Sequence, residues 1–334
     1  MKELTIKCVD AFTTKSFAGN PAGVITGADK LTSQQMQFVA SQMIMNIIEY
    51  GFVRAPHAKG ATFAVRYFTP KIELGCSGHV TIATCFSLIE DGLISLSNGV
   101  TRVVFETGSG LVPLDIHFRT GPPSIEELES NAQNATLSAD SATSGRLEKI
   151  MMHQPVQQFR ENNVPIEDLA KVLGIERSDI ADSDLPVTIS KADVDWLIIP
   201  IKRKETILDM HPDLIRLAAL NKEYGIKTNH IFSTDTFDPE CVSYARHFGP
   251  AMGLWEDPAT AMAAGGLGIY LVDQGVVGSG SMTMEQGNES SSLARLHVEI
   301  DKTGEQVSAV RVGGLAATSL KKTMRLEKNE VILV

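Results

Sequence analysis

The residue best suited to proton transfer in this sequence is Glu49, which stands alone among apolar neighbours in IIEYGF. A carboxyl that loses its water contacts has a raised pKa, and a pKa closer to neutrality suits a general acid or base. An outward-facing residue on an alternating strand would leave the same pattern, so spacing alone keeps both interpretations open. Glu49 is the first candidate for acid/base chemistry.

Two further candidates stand where helices are predicted to begin. His79 follows Gly78 at a predicted helix start, where an imidazole can bond a substrate, relay a proton or act as a structural group. Asp257 precedes Pro258, a pair typical of an N-cap and first helical position, which predicts a helix from Pro258 to about Gln274. Free amides at two helix starts that face one cleft would hold a carboxylate, so a small anionic substrate is predicted.

Both helix starts belong to a motif that the chain carries twice. Arg66-Tyr-Phe-Thr-Pro70 runs into ELGCSGHVTIAT, and Arg246-His-Phe-Gly-Pro250 runs into AMGLWEDPATAMAAG, so both copies read R-x-F-x-P. In each copy a short aromatic strand ends at the proline, and a connector leads into a helix of small residues. This duplication predicts two similar halves with a site between them.

Strands and single helices alternate along the chain, and polarity divides it into segments. Residues 1–118 are predicted to form an N-terminal lobe, with the strand-like tail 325–334 as a candidate completing element. Residues 119–147 are polar and aperiodic, which predicts a linker or insertion, and residues 148–324 are predicted to form a C-terminal lobe. A regular βαβ rhythm and a G-x-G-x-x-G motif are both missing, which disfavours a dinucleotide-binding fold.

Composition narrows the classes of partner. Of the 334 residues 43% are hydrophobic and 21% charged, and the net charge of −10 disfavours nucleic acid and anionic lipid as partners. A bilayer-spanning stretch and a signal peptide are both absent, so a cytoplasmic location is expected. The four cysteines form no C-x-x-C pair, which predicts free thiols. Ligand spacing such as H-E-x-x-H is also missing, so neither a metal site nor a cofactor is predicted.

A series of ordered blocks spans nearly the whole chain. They are VDAFTTKSFAGNPAGV, NIIEYGFV, RYFTPKIELGCSGHVTIA, DWLIIPI with HPDLIRLA, EDPATA, SSSLARLHVEI and RVGGLA. In this order they resemble the PhzF-like phenazine biosynthesis family, which shares the diaminopimelate epimerase fold. The resemblance implies an α+β fold of two pseudo-symmetric lobes, each a curved mixed β-sheet or half-barrel around a central helix. It also implies a cofactor-free site in the cleft and a homodimer.

The same resemblance carries the family's functional residues onto this chain. The catalytic set falls on Glu49, His79 and Asp257. The implied substrate-binding residues are Asn20, Ser77, Gly78, Thr260, Ala261 and Met262. Two departures from the family pattern suggest that the chemistry is kept while the substrate differs. Ala261-Met262 replaces the usual Gly-Ser after E-D-P-A-T, and Ile48 and Tyr50 flank Glu49 where small hydroxyl residues are usual.

The related epimerases use two cysteines, and the resemblance places Ser77 and Thr260 at those positions. A hydroxyl is far harder to ionise than a thiol, whose pKa is about 8.5, so a two-thiol inversion is not expected. Cys76 stands one position away and is interpreted as a buried small hydrophobe. With Glu49 as the one strong base, the simplest mechanism removes a proton from one carbon and returns it to another, which is an isomerisation.

The sequence therefore predicts a cofactor-independent isomerase of a small carboxylate, with Glu49 as acid/base and His79 and Asp257 assisting. Two alternatives stay open. One is an amino-acid racemase or epimerase that uses Glu49 with another group across the cleft. The other is an inactive small-anion-binding protein of the same fold, which Met262 favours because its side chain would fill the carboxylate cradle.

Overall fold

The computed structural model describes residues 2–42, 47–121, 145–192, 194–290, 292–327 and 330–333. Backbone contacts divide the chain into unit 1, which is Met1–His153 with Gly313–Val334, and unit 2, which is Gln154–Val312. Most of the predicted linker, residues 122–144, lies outside the described residues. The predicted lobes, 1–118 and 148–324, stay a prediction, since contact-based units and functional lobes need not share boundaries.

Unit 1 is a mixed sheet with two helices. The helices are α1 (Ser33–Gln42) and α2 (Gly78–Glu90), and a single 3₁₀ turn spans Ala28–Lys30. The strands, numbered along the chain, are β1 (Lys2–Ala11), β2 (Asn20–Ile25), β3 (Tyr50–Arg54), β4 (Phe63–Phe68), β5 (Glu73–Leu74), β6 (Gly99–Thr107), β7 (Gly110–Thr120), β8 (Gly145–Gln154), β18 (Ala316–Glu327) and β19 (Glu330–Leu333). Parallel pairs β2–β3 and β4–β6 alternate with antiparallel pairs β1–β2, β3–β4 and β6–β7. On the outer side, β1 pairs antiparallel with β18, and β18 with β19.

Helix α2 forms the centre of unit 1. Residues 79–89 are all buried, and the helix contacts β1, β2, β3 and β18. Its apolar side chains on every face predicted a helix wrapped by sheet, and the structure confirms this. The helix ends at Glu90, and Gly92 then adopts a left-handed φ of 69°, as expected of a helix stop.

Unit 2 contains more helices. They are α3 (Ile166–Leu173), α4 (Arg177–Ala181), α5 (Lys204–Asp209), α6 (Leu214–Tyr224) and α7 (Ala261–Asp273), with a 3₁₀ turn at Pro250–Met252. Its strands are β9 (Gln158–Glu161), β10 (Thr188–Lys191), β11 (Asp195–Pro200), β12 (Thr228–Ser233), β13 (Ser243–Gly249), β14 (Leu254–Asp257), β15 (Gly280–Gln286), β16 (Ala294–Thr303) and β17 (Gln306–Gly314). Among the described residues of both units, no helix is long and apolar enough to span a bilayer.

The two units share one pairing pattern. In unit 2, β10–β11, β12–β13 and β15–β16 are antiparallel, and β11–β12 and β13–β15 are parallel. This is the order of β1, β2, β3, β4, β6 and β7 in unit 1. The short strands β5 and β14 each pair antiparallel with the strand before them, and α2 and α7 each follow. The described residues thus confirm the predicted α+β class and its internal repeat.

The repeated R-x-F-x-P motif makes the same contact in both units. The Arg66 guanidinium donates two hydrogen bonds to the Glu73 carboxylate, at 2.7 Å each, and lies 5.2 Å from the ring centroid of the motif's phenylalanine. Arg246 donates in the same way to Glu256, at 2.8 and 2.9 Å, and lies 5.0 Å from its own ring. Each arginine therefore ties β5 or β14 to the strand before it, just ahead of the connector to the helix.

A second repeated contact was not predicted from the sequence. Glu106 accepts hydrogen bonds from the backbone N–H groups of residues 57 and 58, at 2.6 and 2.9 Å. Glu285 accepts from those of residues 237 and 238, at 2.9 and 3.1 Å. The two glutamates hold equivalent positions, because Glu106 pairs with Ala64 on β4 and Glu285 pairs with Tyr244 on β13. Each fixes the loop that leads into the motif strand.

The start of α7 corrects one prediction. Asp257 is the last residue of β14 and not an N-cap, because its backbone is still paired with His247 on β13. Thr260 is the N-cap, with an extended φ of −118°, and the helix begins at Ala261. Strand pairing thus carries the extended backbone past the point at which the Asp-Pro pattern predicted a helix. Pro258 lies in the connector between β14 and α7.

Candidate active site

Glu49, Ser77 and His79 come together at the start of α2, and we name them the Glu49 group. Oε2 of Glu49 lies 3.8 Å from Nδ1 of His79, and the Glu49 side chain is 21% exposed. Oγ of Ser77 lies 3.4 Å from the same nitrogen. Ser77 and His79 are both buried. The structure thus gathers three predicted site residues that the sequence separates by up to thirty positions.

Burial sets the proton chemistry of Glu49. Loss of water contacts raises the pKa of the Glu49 carboxyl, and a hydrogen bond with the Ser77 hydroxyl offsets part of that rise. A raised pKa brings a carboxyl closer to the range in which a side chain both accepts and releases protons. The acid/base role of Glu49 stays a prediction.

Local folding explains how Glu49 reaches α2. It is the residue before β3, and its carbonyl accepts a hydrogen bond from the Gly23 N–H of β2 at 3.0 Å. Gly51 then lies directly against the helix, since a Cβ there would come within 2.7 Å of Oγ1 of Thr84. The strand can approach α2 closely only because Gly51 has no side chain. Glu49 therefore stands at a strand end rather than on an exposed strand face.

The remaining candidates of unit 1 occupy the same elements. Asn20 is the first residue of β2 and is buried, and Gly78 is the first residue of α2. Their contact with a substrate stays a prediction. Cys76 is a free thiol, but it is half-buried where full burial was expected, and its sulfur lies 3.9 Å from Oγ1 of Thr81.

The candidates of unit 2 lie on the connector from β14 to α7. The Thr260 hydroxyl donates a hydrogen bond to Oδ2 of Asp257 at 2.6 Å, and Asp257 is only 9% exposed. The hydroxyl makes no capping bond to the helix amides, and its hydrogen bond goes to the Asp257 carboxylate instead. Ala261 is buried and Met262 half-buried in the first turn of α7. The predicted residues of this unit thus form a second group.

Two glutamines that no sequence motif marks hold this connector. The Gln286 side chain contacts both Asp257 and Thr260. Nε2 of Gln157 donates to the backbone carbonyl of Met262 at 2.8 Å. These contacts join residues that are 26, 29 and 105 positions apart, so local spacing contains no signal for them. Among the described residues, no set of three His, Cys, Asp or Glu side chains is placed to hold a metal ion.

Comparison with known proteins identifies the family. A model described as "Phenazine biosynthesis-like protein" matches residues 9–322. The chain belongs to this family. It is 28% identical over 327 residues to the uncharacterized isomerase YfhB of Bacillus subtilis. This match covers 98% of this chain and 100% of the relative. It is 26% identical over 315 residues to the trans-2,3-dihydro-3-hydroxyanthranilate isomerase of Pseudomonas aeruginosa, which covers 92% and 95%.

Solved structures agree with this assignment. The crystal structure of a PhzF-family phenazine biosynthesis protein from Bacillus anthracis has a TM-score of 0.80 and 27% identity, and covers 98% of this chain and 100% of that one. A hydroxyproline epimerase from Agrobacterium vitis has a TM-score of 0.60 at 11% identity, with coverage of 97% and 91%, and shares the fold alone. The predicted family, its epimerase-like fold and the isomerase class are therefore confirmed.

Proposed function

We propose that this isomerase moves a proton between two carbons of a small carboxylate substrate, with Glu49 as both acid and base. The supporting observation is the Glu49 group, in which a carboxyl with few water contacts lies 3.8 Å from His79. The proton leaves one carbon for Glu49 while the C–H electron pair moves into the conjugated substrate. Glu49 then returns the proton to a second carbon, so no electrons are gained or lost.

The other predicted residues assist in this proposal. His79 bonds the substrate or relays the proton beside Glu49, and Asp257 orients a polar group of the substrate. Substrate contacts are assigned to the residues implied by the family resemblance, which are Asn20, Ser77, Gly78, Thr260, Ala261 and Met262. The acid/base step uses these side chains alone, so the proposed mechanism needs neither a metal nor a cofactor.

The internal repeat supports one base rather than two. Counting back from the motif arginines along the pairs β3–β4 and β12–β13, Glu49 of unit 1 corresponds to Thr228 of unit 2. The N-caps Ser77 and Thr260 correspond in the same way. The counterpart of Glu49 and the two residues at the thiol positions are thus hydroxyl residues, which are poor bases at neutral pH. This favours proton return by Glu49 over a two-base racemisation.

Proton NMR during turnover in deuterated water tests the proposal. The first probe is trans-2,3-dihydro-3-hydroxyanthranilate, the compound in the name of the Pseudomonas aeruginosa relative. A panel of small carboxylates that includes trans-4-hydroxy-L-proline, the ligand of the epimerase structure, follows. We expect transfer between two carbons with part of the original proton retained. Inversion at one carbon with complete deuterium uptake would instead support a racemase.

Substitution of the proposed base separates chemistry from folding. Glu49→Gln keeps the shape of the side chain but cannot exchange the proton, so turnover should fall by about 100- to 10,000-fold. Glu223→Gln, on the exposed face of α6, is the matched control and should leave turnover unchanged. A folded Glu49→Gln variant with full turnover would overturn the proposal.

The cytoplasmic location and the homodimer expected from the sequence belong to the same proposal. The family resemblance supports the dimer, and the acidic composition favours a small-molecule partner over nucleic acid. Light scattering of the purified chain should give twice the mass of one chain. A monomer at working concentrations would remove the dimer from the proposal and leave the assignment of Glu49 intact.

A further inference from the structure

Gln286 uses every polar atom of its side chain on the connector before α7. It is the last residue of β15 and is 2% exposed. Its Oε1 accepts a hydrogen bond from the Thr260 N–H at 3.0 Å. Its Nε2 donates to the Asp257 carbonyl oxygen at 2.8 Å and to Oγ1 of Thr260 at 3.1 Å. A buried amide that makes three hydrogen bonds to Asp257 and Thr260, at the two ends of this connector, holds its geometry.

These contacts also determine which atom is the donor in each hydrogen bond. A backbone N–H can only donate, so the atom of Gln286 that faces the Thr260 N–H must be the oxygen. The amide nitrogen is then the donor to Oγ1 of Thr260, which acts as the acceptor. The hydroxyl proton of Thr260 is left for Oδ2 of Asp257, at 2.6 Å. Because this bond is donated to a carboxylate, it favours the ionised form of Asp257.

Three titratable residues lie next to this connector, on β13, β14 and β15. His247 is paired with Asp257 across β13 and β14, and burial lowers the pKa of His247 to about 3. Glu256 accepts both bonds of the motif arginine. Glu285 precedes Gln286 on the strand, so its side chain points to the opposite face, where it accepts the loop N–H groups. Gln286 itself reaches Asp257 in two ways, by its bond to the Asp257 carbonyl oxygen and through the Thr260 hydroxyl.

We propose that Gln286 is a positioning residue that orients the Thr260 hydroxyl toward Oδ2 of Asp257. The register supports a role specific to unit 2. At the equivalent position of β6 stands Thr107, whose hydroxyl donates to the Gly110 carbonyl within its own hairpin. The part that Asp257 plays in turnover rests on the proposed function, so the carboxyl and the turnover are measured separately.

Carbon NMR of protein labelled at the aspartate carboxyl carbons follows the titration of Asp257 directly. The Asp257 signal is assigned as the one that is missing in the Asp257→Asn variant. Thr260→Val removes the hydroxyl, and Gln286→Met removes the amide while keeping a similar length. Each change should move the midpoint of the titration upward by about one pH unit, a tenfold change in proton affinity. The double variant should move it no further, because both residues act through the same proton.

Gln157→Met is the matched control. Gln157 is also a buried glutamine bonded to the start of α7, but it contacts the Met262 carbonyl and neither Asp257 nor Thr260 in the described structure. The Asp257 titration should therefore stay in place in this variant. If Gln286→Met does not fold, Gln286→Leu gives the same readout, since it also removes the amide donor and adds no charge beside Asp257.

The outcomes separate this proposal from the proposed function. An unmoved titration in the Gln286 variant, or additive shifts in the double variant, overturns the positioning role. An equal shift in Gln157→Met also overturns it, since a general disturbance of the helix start would then explain the effect. A shift as expected supports the positioning role. Full turnover of trans-2,3-dihydro-3-hydroxyanthranilate by a folded Asp257→Asn variant would separately remove Asp257 from the proposed reaction.

Discussion

The half-buried carboxyl of Glu49 lowers the free energy of unfolding at neutral pH. Burial raises its pKa, so the folded state holds this proton more tightly than the unfolded chain does. For such an acid the unfolding free energy is highest below the unfolded pKa, about 4.3, and falls as the pH rises through the folded pKa. A side chain kept at this cost is better explained by chemistry than by packing.

Glu49→Gln should therefore stabilise the protein at neutral pH while it removes turnover. The amide carries no charge, so the unfolding free energy should rise by something on the order of 1 kcal/mol, a common size for stabilising substitutions. Near pH 4 both states of the wild type are largely protonated, and the gain should vanish. Urea denaturation across this pH range measures it, with the exposed Glu223→Gln as the control. An equal gain at acidic and neutral pH would contradict charge burial as the cause.

At the scale of elements, the two arginine contacts differ in burial although their geometry repeats. The Arg246 side chain is 9% exposed against 24% for Arg66. Nη1 of Arg246 also donates to three backbone carbonyls, at Ile207, Leu208 and Met210, which close the end of α5. The corresponding nitrogen of Arg66 donates to the Ser33 hydroxyl at an exposed site. One copy of the motif is therefore a core contact and the other a surface contact.

Removing each arginine should show this difference. Arg246→Met leaves the Glu256 carboxylate and the carbonyls without their donor, and should cost about 3–5 kcal/mol of unfolding free energy. Arg66→Met should cost about 0–1 kcal/mol, as solvent-exposed ion pairs do. Urea denaturation of the two matched variants measures both costs. Equal losses would mean that the repeated bond, and not its burial, determines its contribution.

Local signals predicted the elements but not the contacts between them. The alternation in ATFAVRYF and the apolar run of α2 predicted a strand and a wrapped helix, and both are present. The Asp-Pro signal failed at Asp257 because pairing with β13 continues through that residue. Gln286 could not be found in this way, since its partners lie 26 and 29 positions earlier and meet it only after the strands pair. The sequence therefore predicts the elements that carry the site, but not the side-chain contacts between residues that are distant in the chain.

Across the whole molecule, the two units share their structural contacts but differ in the polar residues at equivalent positions. Both units keep the arginine contact, the loop-fixing glutamate and a helix after the connector. The polar residues at equivalent positions differ, with Glu49 in unit 1 where Thr228 stands in unit 2. R-x-F-x-P alone predicted the duplication, whereas the difference became visible only from the strand register. This difference supports the proposed return of the proton by Glu49 alone.

Thr228→Val tests whether Glu49 alone carries out both proton transfers. Thr228 is 5% exposed, and its hydroxyl has no hydrogen-bond partner in the described part of the chain. A methyl group in its place removes an unsatisfied buried polar atom, so the unfolding free energy should stay the same or rise by up to about 1 kcal/mol. Turnover should be unchanged if Glu49 is the base in both half-reactions. The NMR assay and urea denaturation measure the two quantities in parallel with Glu49→Gln. A loss of turnover on the order of 100-fold in a stable Thr228→Val variant would instead assign the second proton transfer to this hydroxyl.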